Sequence, residues 1–130
     1  SGVAPVSRFL KNGLHVGLAT DVAGGSHESL LRAMAHAIQA SKLRWRLCDQ
    51  SVAPLTFDQA FYIATMGGGA FFGKVGSFLD GYEFDAVVLD DTELDHPQEL
   101  SVRARLERAA YLADDRNLTA KFVAGQKILG

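Results

Sequence analysis

Leu14-His15-Val16-Gly17-Leu18-Ala19-Thr20-Asp21-Val22-Ala23-Gly24-Gly25 is the stretch on which the fold turns. Leu14, Val16 and Leu18 alternate with His15, Gly17, Ala19 and Asp21, the period of a strand whose successive side chains point to opposite faces. One face is apolar, and the other is small and ends in a carboxylate. The Gly24-Gly25 pair then breaks the strand, and Ser26 is the expected N-cap of a long helix with the apolar stripe Leu30, Leu31, Met34 and Ile38. Upstream, Pro5 and Gly13 bracket a short helix over residues 6–12, with proline at its start and glycine just past its end. Helix, strand, loop and helix make a piece of α/β architecture.

Farther along, Thr56-Phe57-Asp58-Gln59 has the form of a capping box and opens a helix to about residue 65, with Ala60, Phe61, Ile63 and Ala64 on its apolar face. Gly67-Gly68-Gly69 follows among apolar neighbours. It ends a helix where phosphate-binding loops precede one, and no Lys-Ser/Thr pair follows, so close backbone packing is the better reading. Residues 85–90 read as a strand, followed by an acidic loop to His96-Pro97. Ser101 caps a last helix with the stripe Val102, Leu106, Ala109 and Ala113 and an Arg103/Glu107 pair at i,i+4. Residues 122–129 read as strand, glycine turn and strand.

At 130 residues the chain has the length of about one domain and is too short for a complete (β/α)8 barrel, which needs roughly 200 residues or more. Its 48% hydrophobic and 22% charged content is that of a core-forming globular protein. Thirteen Lys and Arg against fifteen Asp and Glu leave a net charge of -2, so no basic field is present to gather nucleic acid or an anionic membrane, and neither is an expected partner. Lys42, Arg44 and Arg46, the one concentrated basic stretch, suit a helix C-terminus. A lone cysteine, Cys48, forms no internal disulfide and reads as a reduced thiol. Ser1-Gly2-Val3-Ala4 lacks the features of a secretory signal, and no apolar run approaches ~20 residues. The expectation is a soluble, cytoplasmic protein.

The candidates for chemistry are few. His15, His27, His36 and His96 form no H-x-H pair, and His27-Glu28 lacks the second histidine of a zincin helix because Leu31 stands there. Of the four, His27 is the one close behind the Asp21 loop. There is no G-x-S-x-G elbow. Asp21 has two readings on pattern alone: a side chain that caps the turn after a strand, or a strand-end carboxylate placed where α/β enzymes gather catalytic groups. Asp90 and Asp91 follow the second strand in an equivalent position, which allows a receiver-like phosphoacceptor centred on Asp90. A non-catalytic interaction module is the third possibility.

The stretch Gly17-Leu18-Ala19-Thr20-Asp21-Val22-Ala23-Gly24-Gly25 resembles the last barrel-strand motif of the amidohydrolase superfamily, specifically its guanine deaminase branch. Residues 37–46, the run Ala64-Thr65-Met66-Gly67-Gly68-Gly69-Ala70-Phe71-Phe72-Gly73, residues 76–86 and Tyr111-Leu112-Ala113-Asp114-Asp115-Arg116-Asn117 are similar to the same branch in the same order. The resemblance covers essentially the whole chain and the C-terminal third of the family's usual length.

That resemblance implies an α/β fold made of the C-terminal part of a metal-dependent hydrolase (β/α)8 barrel, its last strand and following helices, plus part of the small composite β-sandwich domain. Residues 1–73 would be the barrel segment with extra helices, and residues 74–130 the sandwich portion with one inserted helix at about 98–113. The implied activity is hydrolysis of guanine to xanthine and ammonia by a zinc-activated water, with Asp21 as both catalytic residue and metal ligand. The alternation above directs Asp21 to the barrel mouth with Gly17 and Ala19. The remaining histidine ligands belong to upstream segments of the family and have no counterpart here, so the chain alone is expected to be inactive. Barrel edges and apolar helix faces left uncovered would favour a homo-oligomer.

Overall fold

The computed structural model describes residues 2–130; Ser1, the first residue of the N-terminal stretch considered above, lies outside them. The helix α1, Val6–Lys11, follows Pro5 and ends in a Schellman motif: the Gly13 N–H donates to the Leu10 carbonyl and the Leu14 N–H to the Phe9 carbonyl. Gly13 takes a φ of +73°, a conformation in which a Cβ would be costly.

Residues 14–21 correct one expectation. They form no strand, because no described segment runs alongside to complete a ladder; the Leu18 N–H donates to the Ile63 carbonyl at 2.8 Å, but no ladder continues from that bond among the described residues. The period-2 signature survives in the burial. Val16, Leu18 and Thr20 are half-buried, while His15, Gly17, Ala19 and Asp21 are exposed. Leu14, assigned to the apolar face, is 53% exposed, since it stands at the start of the segment beyond the helices that cover Val16 and Leu18.

A second correction concerns the next cap. The helix α2, Leu30–Leu47, is capped by Ser29, whose side chain accepts from the Arg32 N–H, and Ser26 stands in the preceding loop. Met34, Ala35 and Ile38 are buried on its inner face, and Arg44 and Arg46 fall in its last turn, as the helix dipole favours. Ser41 joins α2 to the following link: its hydroxyl donates to the Ile38 carbonyl and accepts from the Leu55 N–H. The helix α3, Phe57–Ala64, begins with the full capping box, the Thr56 hydroxyl taking the Gln59 N–H and the Gln59 side chain the Thr56 N–H. Phe57, Ala60 and Ile63 are its buried face; Phe61 is 37% exposed.

The short helix α4, Met66–Gly69, contains the glycine triplet. A Cβ on Gly67 would stand 2.5 Å from the Val16 carbonyl oxygen, one on Gly68 would touch Ile63, and one on Gly69 would drive into the Val75 carbonyl. The triplet is a backbone packing point, and it holds residues 16–17 against the end of α3.

The remainder is an antiparallel sheet and one helix. Strands β1 (Ala86–Leu89), β2 (Leu118–Val123) and β3 (Gln126–Leu129) pair in the order β1-β2-β3, with register shifts at Val88/Leu89 and Lys121/Phe122. This is a single layer: among the described residues no second sheet faces it. Between β1 and β2 lies α5, Val102–Leu112, capped by Ser101. Ala109, Ala110 and Ala113 are buried, whereas Val102, placed on the apolar stripe, is 77% exposed in the first turn, beyond the reach of the core. The core is shared by three helices: Met34 and Ile38 of α2, Phe57, Ala60 and Ile63 of α3, and Ala110 of α5, with Leu55 from the link. Val6, Leu10, Val16 and Leu18 close it from the N-terminal side.

Candidate functional site

Asp21 ends the exposed, small-residue face of residues 14–21, and its backbone turns sharply there. Its φ is +50°, and that of Ala23 is +77°. For residues with a Cβ, positive φ costs about 1 kcal/mol or more each and persists where the surroundings impose it. The turn is closed by the main chain: the Asp21 carbonyl accepts from the Gly24 N–H at 2.9 Å and from the Gly25 N–H. The Asp21 carboxylate takes no part in this. It accepts no hydrogen bond from any described residue and lies over Gly24, where a Cβ would stand 2.8 Å from Oδ2.

Other aspartates of the chain show what turn capping looks like. The Asp90 carboxylate accepts from the Thr92 N–H at 3.0 Å, which holds its pKa below the ordinary value. The Asp49 carboxylate accepts from the Ser51 N–H in the same manner. The Asp114 carboxylate accepts from the Arg116 N–H and guanidinium, and these bonds lower its pKa to about 2. Three side chains are spent on local structure, and Asp21 is not. Of the two readings that the sequence leaves for Asp21, the turn-capping one is absent from the structure.

The same geometry disposes of the receiver-like alternative. That fold needs a doubly wound parallel sheet with a free acidic group at a strand end. Here β1 lies at the edge of an antiparallel sheet, and Asp90 is bound into a tie with Asn117: the Asp90 N–H donates to the Asn117 carbonyl, and the Asn117 amide to the Asp90 carbonyl. Asp91 is paired with Arg105 of α5.

His27 lies in the loop behind Asp21, with its ring centroid 5.6 Å from that of His36 on α2. With Leu18, Thr20 and Ser26 these two rings line a cleft of about 260 Å³, and the Ser26 hydroxyl lies 3.4 Å from His36 Nδ1. The His27/His36 approach was not legible beforehand, since it depends on how the 22–28 loop folds over α2. Among the described residues no three His, Cys, Asp or Glu side chains converge as a metal site. The described residues by themselves therefore do not fit a zinc ion, which needs three or four ligands; Asp21 offers one carboxylate. No helix of the described residues is long and apolar enough to cross a membrane.

Comparison with known proteins gives these features a family. The profile of the Amidohydrolase family matches residues 1–128. Guanine deaminase of Dictyostelium discoideum is 32% identical over 98% of this chain and 30% of its own length, and that of Homo sapiens is 32% identical over 99% and 31%. Among solved structures, guanine deaminase from C. acetobutylicum with bound guanine in the active site matches 99% of this chain with a TM-score of 0.92 and 44% identity. E. coli guanine deaminase matches 98% with a TM-score of 0.80 and 27% identity. Each match takes up about 30% of the larger protein, so the chain spans less than a third of its relatives' length. A profile match along nearly the whole sequence, on a fold shared with these structures, makes the chain a member of the amidohydrolase family.

Proposed function

We propose that this chain is the C-terminal portion of a guanine deaminase and supplies Asp21 to its active site. The observation that carries the reading is the Asp21 carboxylate, exposed beside small residues at a strained turn and accepting no hydrogen bond from any described residue, in a chain that superposes along its length on a guanine deaminase. In the completed enzyme the substrate would be guanine and the products xanthine and ammonia. Zinc, held chiefly by upstream histidines with Asp21 as one ligand, would supply an acidified water when bound.

The part assigned to this chain is proton movement. As water adds to the guanine carbon that bears the exocyclic amino group, a new C–O bond forms, the ring C=N π pair moves onto the ring nitrogen, and one water proton passes to the Asp21 carboxylate. The same proton then goes to the amino nitrogen, the ring-nitrogen pair re-forms the C=N bond as the exocyclic C–N bond breaks, ammonia leaves with the electron pair of that bond, and the remaining hydroxyl proton moves to the ring nitrogen to give xanthine. A carboxylate that accepts no internal hydrogen bond keeps its lone pairs free for this traffic, and its exposure leaves room for the substrate. Gly17 and Ala19, on the same face, add no bulk near it.

Under this reading residues 1–73 belong to the barrel's last turn and residues 74–130 to the small sandwich, with α5 inserted. The exposed apolar side chains Phe71, Phe72, Phe78 and Leu79, between 60% and 87% accessible, support self-association of the chain.

The test is completion. Fusing this chain behind the upstream two-thirds of the C. acetobutylicum enzyme is expected to yield zinc-dependent conversion of guanine to xanthine, while the 130-residue chain alone shows neither turnover nor tight zinc binding. A well-folded, zinc-loaded fusion without guanine turnover, or turnover by the chain alone, overturns the proposal.

A further inference from the structure

Gly24 and Gly25 are adjacent, yet a side chain at each would meet different things. At Gly25 a Cβ would drive into the Thr20 carbonyl oxygen and stand 3.0 Å from that of Asp21, both backbone atoms that cannot yield without opening the turn. At Gly24 the three nearest atoms are all of one carboxyl group: Asp21 Oδ2 at 2.8 Å, Cγ at 3.2 Å and Oδ1 at 3.3 Å. Neither glycine has a positive φ, so an L side chain at position 24 meets no backbone strain. The obstacle is the movable end of a side chain, and it would give way by rotating.

We infer that Gly24 is a positioning residue for Asp21: its missing Cβ leaves the space in which the carboxylate lies over the turn, and thereby sets where the proton-carrying oxygens stand. The inference rests on the role proposed for Asp21. Gly25, by contrast, serves the folding of the turn. The division of labour is sharp because the two Cβ positions face a side chain and a main chain respectively.

The experiment uses the completed enzyme described above, with steady-state kinetics on guanine and thermal melts for Gly24→Ala, Gly25→Ala, Asp21→Ala and the Asp21→Ala/Gly24→Ala double variant. Gly24→Ala is expected to lower kcat by about 10²-fold, the size of effect that a displacement near 1 Å produces, with KM changed less than about threefold. Its melting temperature should stay with the parent's, whereas that of Gly25→Ala falls. In the Asp21→Ala background the Gly24 substitution should alter the residual rate by less than about twofold, because its target is gone. Parent-like kcat for Gly24→Ala overturns the inference while an inactive Asp21→Ala leaves the role of Asp21 standing. Loss of folding in Gly24→Ala, or an undiminished Gly24 effect in the Asp21→Ala background, also overturns it. Parent-like turnover by Asp21→Ala instead removes the reading beneath it.

Discussion

Residue by residue, the Asp49, Asp90 and Asp114 carboxylates build local turns and that of Asp21 does not, and the builders carry their own predictions. Asp114 is held low, at about 2, first by the Arg116 side chain and then by the Arg116 backbone N–H. A folded pKa below the ordinary value of 3.8 means that its contribution is complete above pH ~4 and disappears as pH falls toward ~2. Acid titration followed by circular dichroism should therefore show a component of destabilisation in that window that Asp114→Asn removes. Ala124 is the other informative residue. With Gly125 it forms the two-residue loop between β2 and β3, at φ values of +49° and +77°, the signs of a type I′ turn. Asparagine adopts that first position at less cost than alanine, so Ala124→Asn should stabilise the chain by roughly 1 kcal/mol in urea unfolding. An unchanged or lower midpoint would count against the turn as described.

At the scale of elements, what was legible in the sequence was what is decided locally. The α3 capping box, the proline and glycine around α1, the Ser101 cap of α5 and the final hairpin each carry their signals within a few residues, and each stands where it was expected. Thr56→Ala should cost about 1 kcal/mol, measured by denaturant unfolding, because one of the two reciprocal bonds of that box is lost. Residues 14–21 could not be judged in the same way. Their alternation is real, but a strand also needs a neighbour, and pairing is a property of distant segments. Ser26 was the cap expected from the sequence, and Ser29 is the one used. The tight turn at Asp21–Gly25 leaves residues 26–28 as loop, and the helix begins one cap later. Asp21 itself was legible as a candidate from its place at the end of a small-residue face. That its carboxylate stays out of the turn, and that Gly24 makes room for it, depends on how residues 21–25 fold back on one another.

The whole molecule is a small three-helix core with one sheet layer and a large remainder of uncovered apolar surface. The Phe71 and Phe72 rings, in edge contact at 5.0 Å, are 87% and 78% exposed, and Phe78 is 75% exposed. Large exposed aromatic side chains of this kind are uncommon on free surfaces and drive association. Light scattering of the purified chain should report a species larger than a monomer, and Phe71→Ser/Phe72→Ser should shift it toward monomer with little change in melting temperature. A monomer at all concentrations would contradict this. Membership of the amidohydrolase family accounts for the overall arrangement; the chain spans about 30% of its relatives' length, and among the described residues no three metal-ligating side chains converge. The Asp21 carboxylate is the group on which the proposed chemistry rests. Its most direct test is kcat for guanine in the completed enzyme carrying Asp21→Asn, a change that preserves shape and removes the charge. The account predicts a fall of at least about 10²-fold with an unchanged melting temperature; turnover within a few-fold of the parent would contradict it.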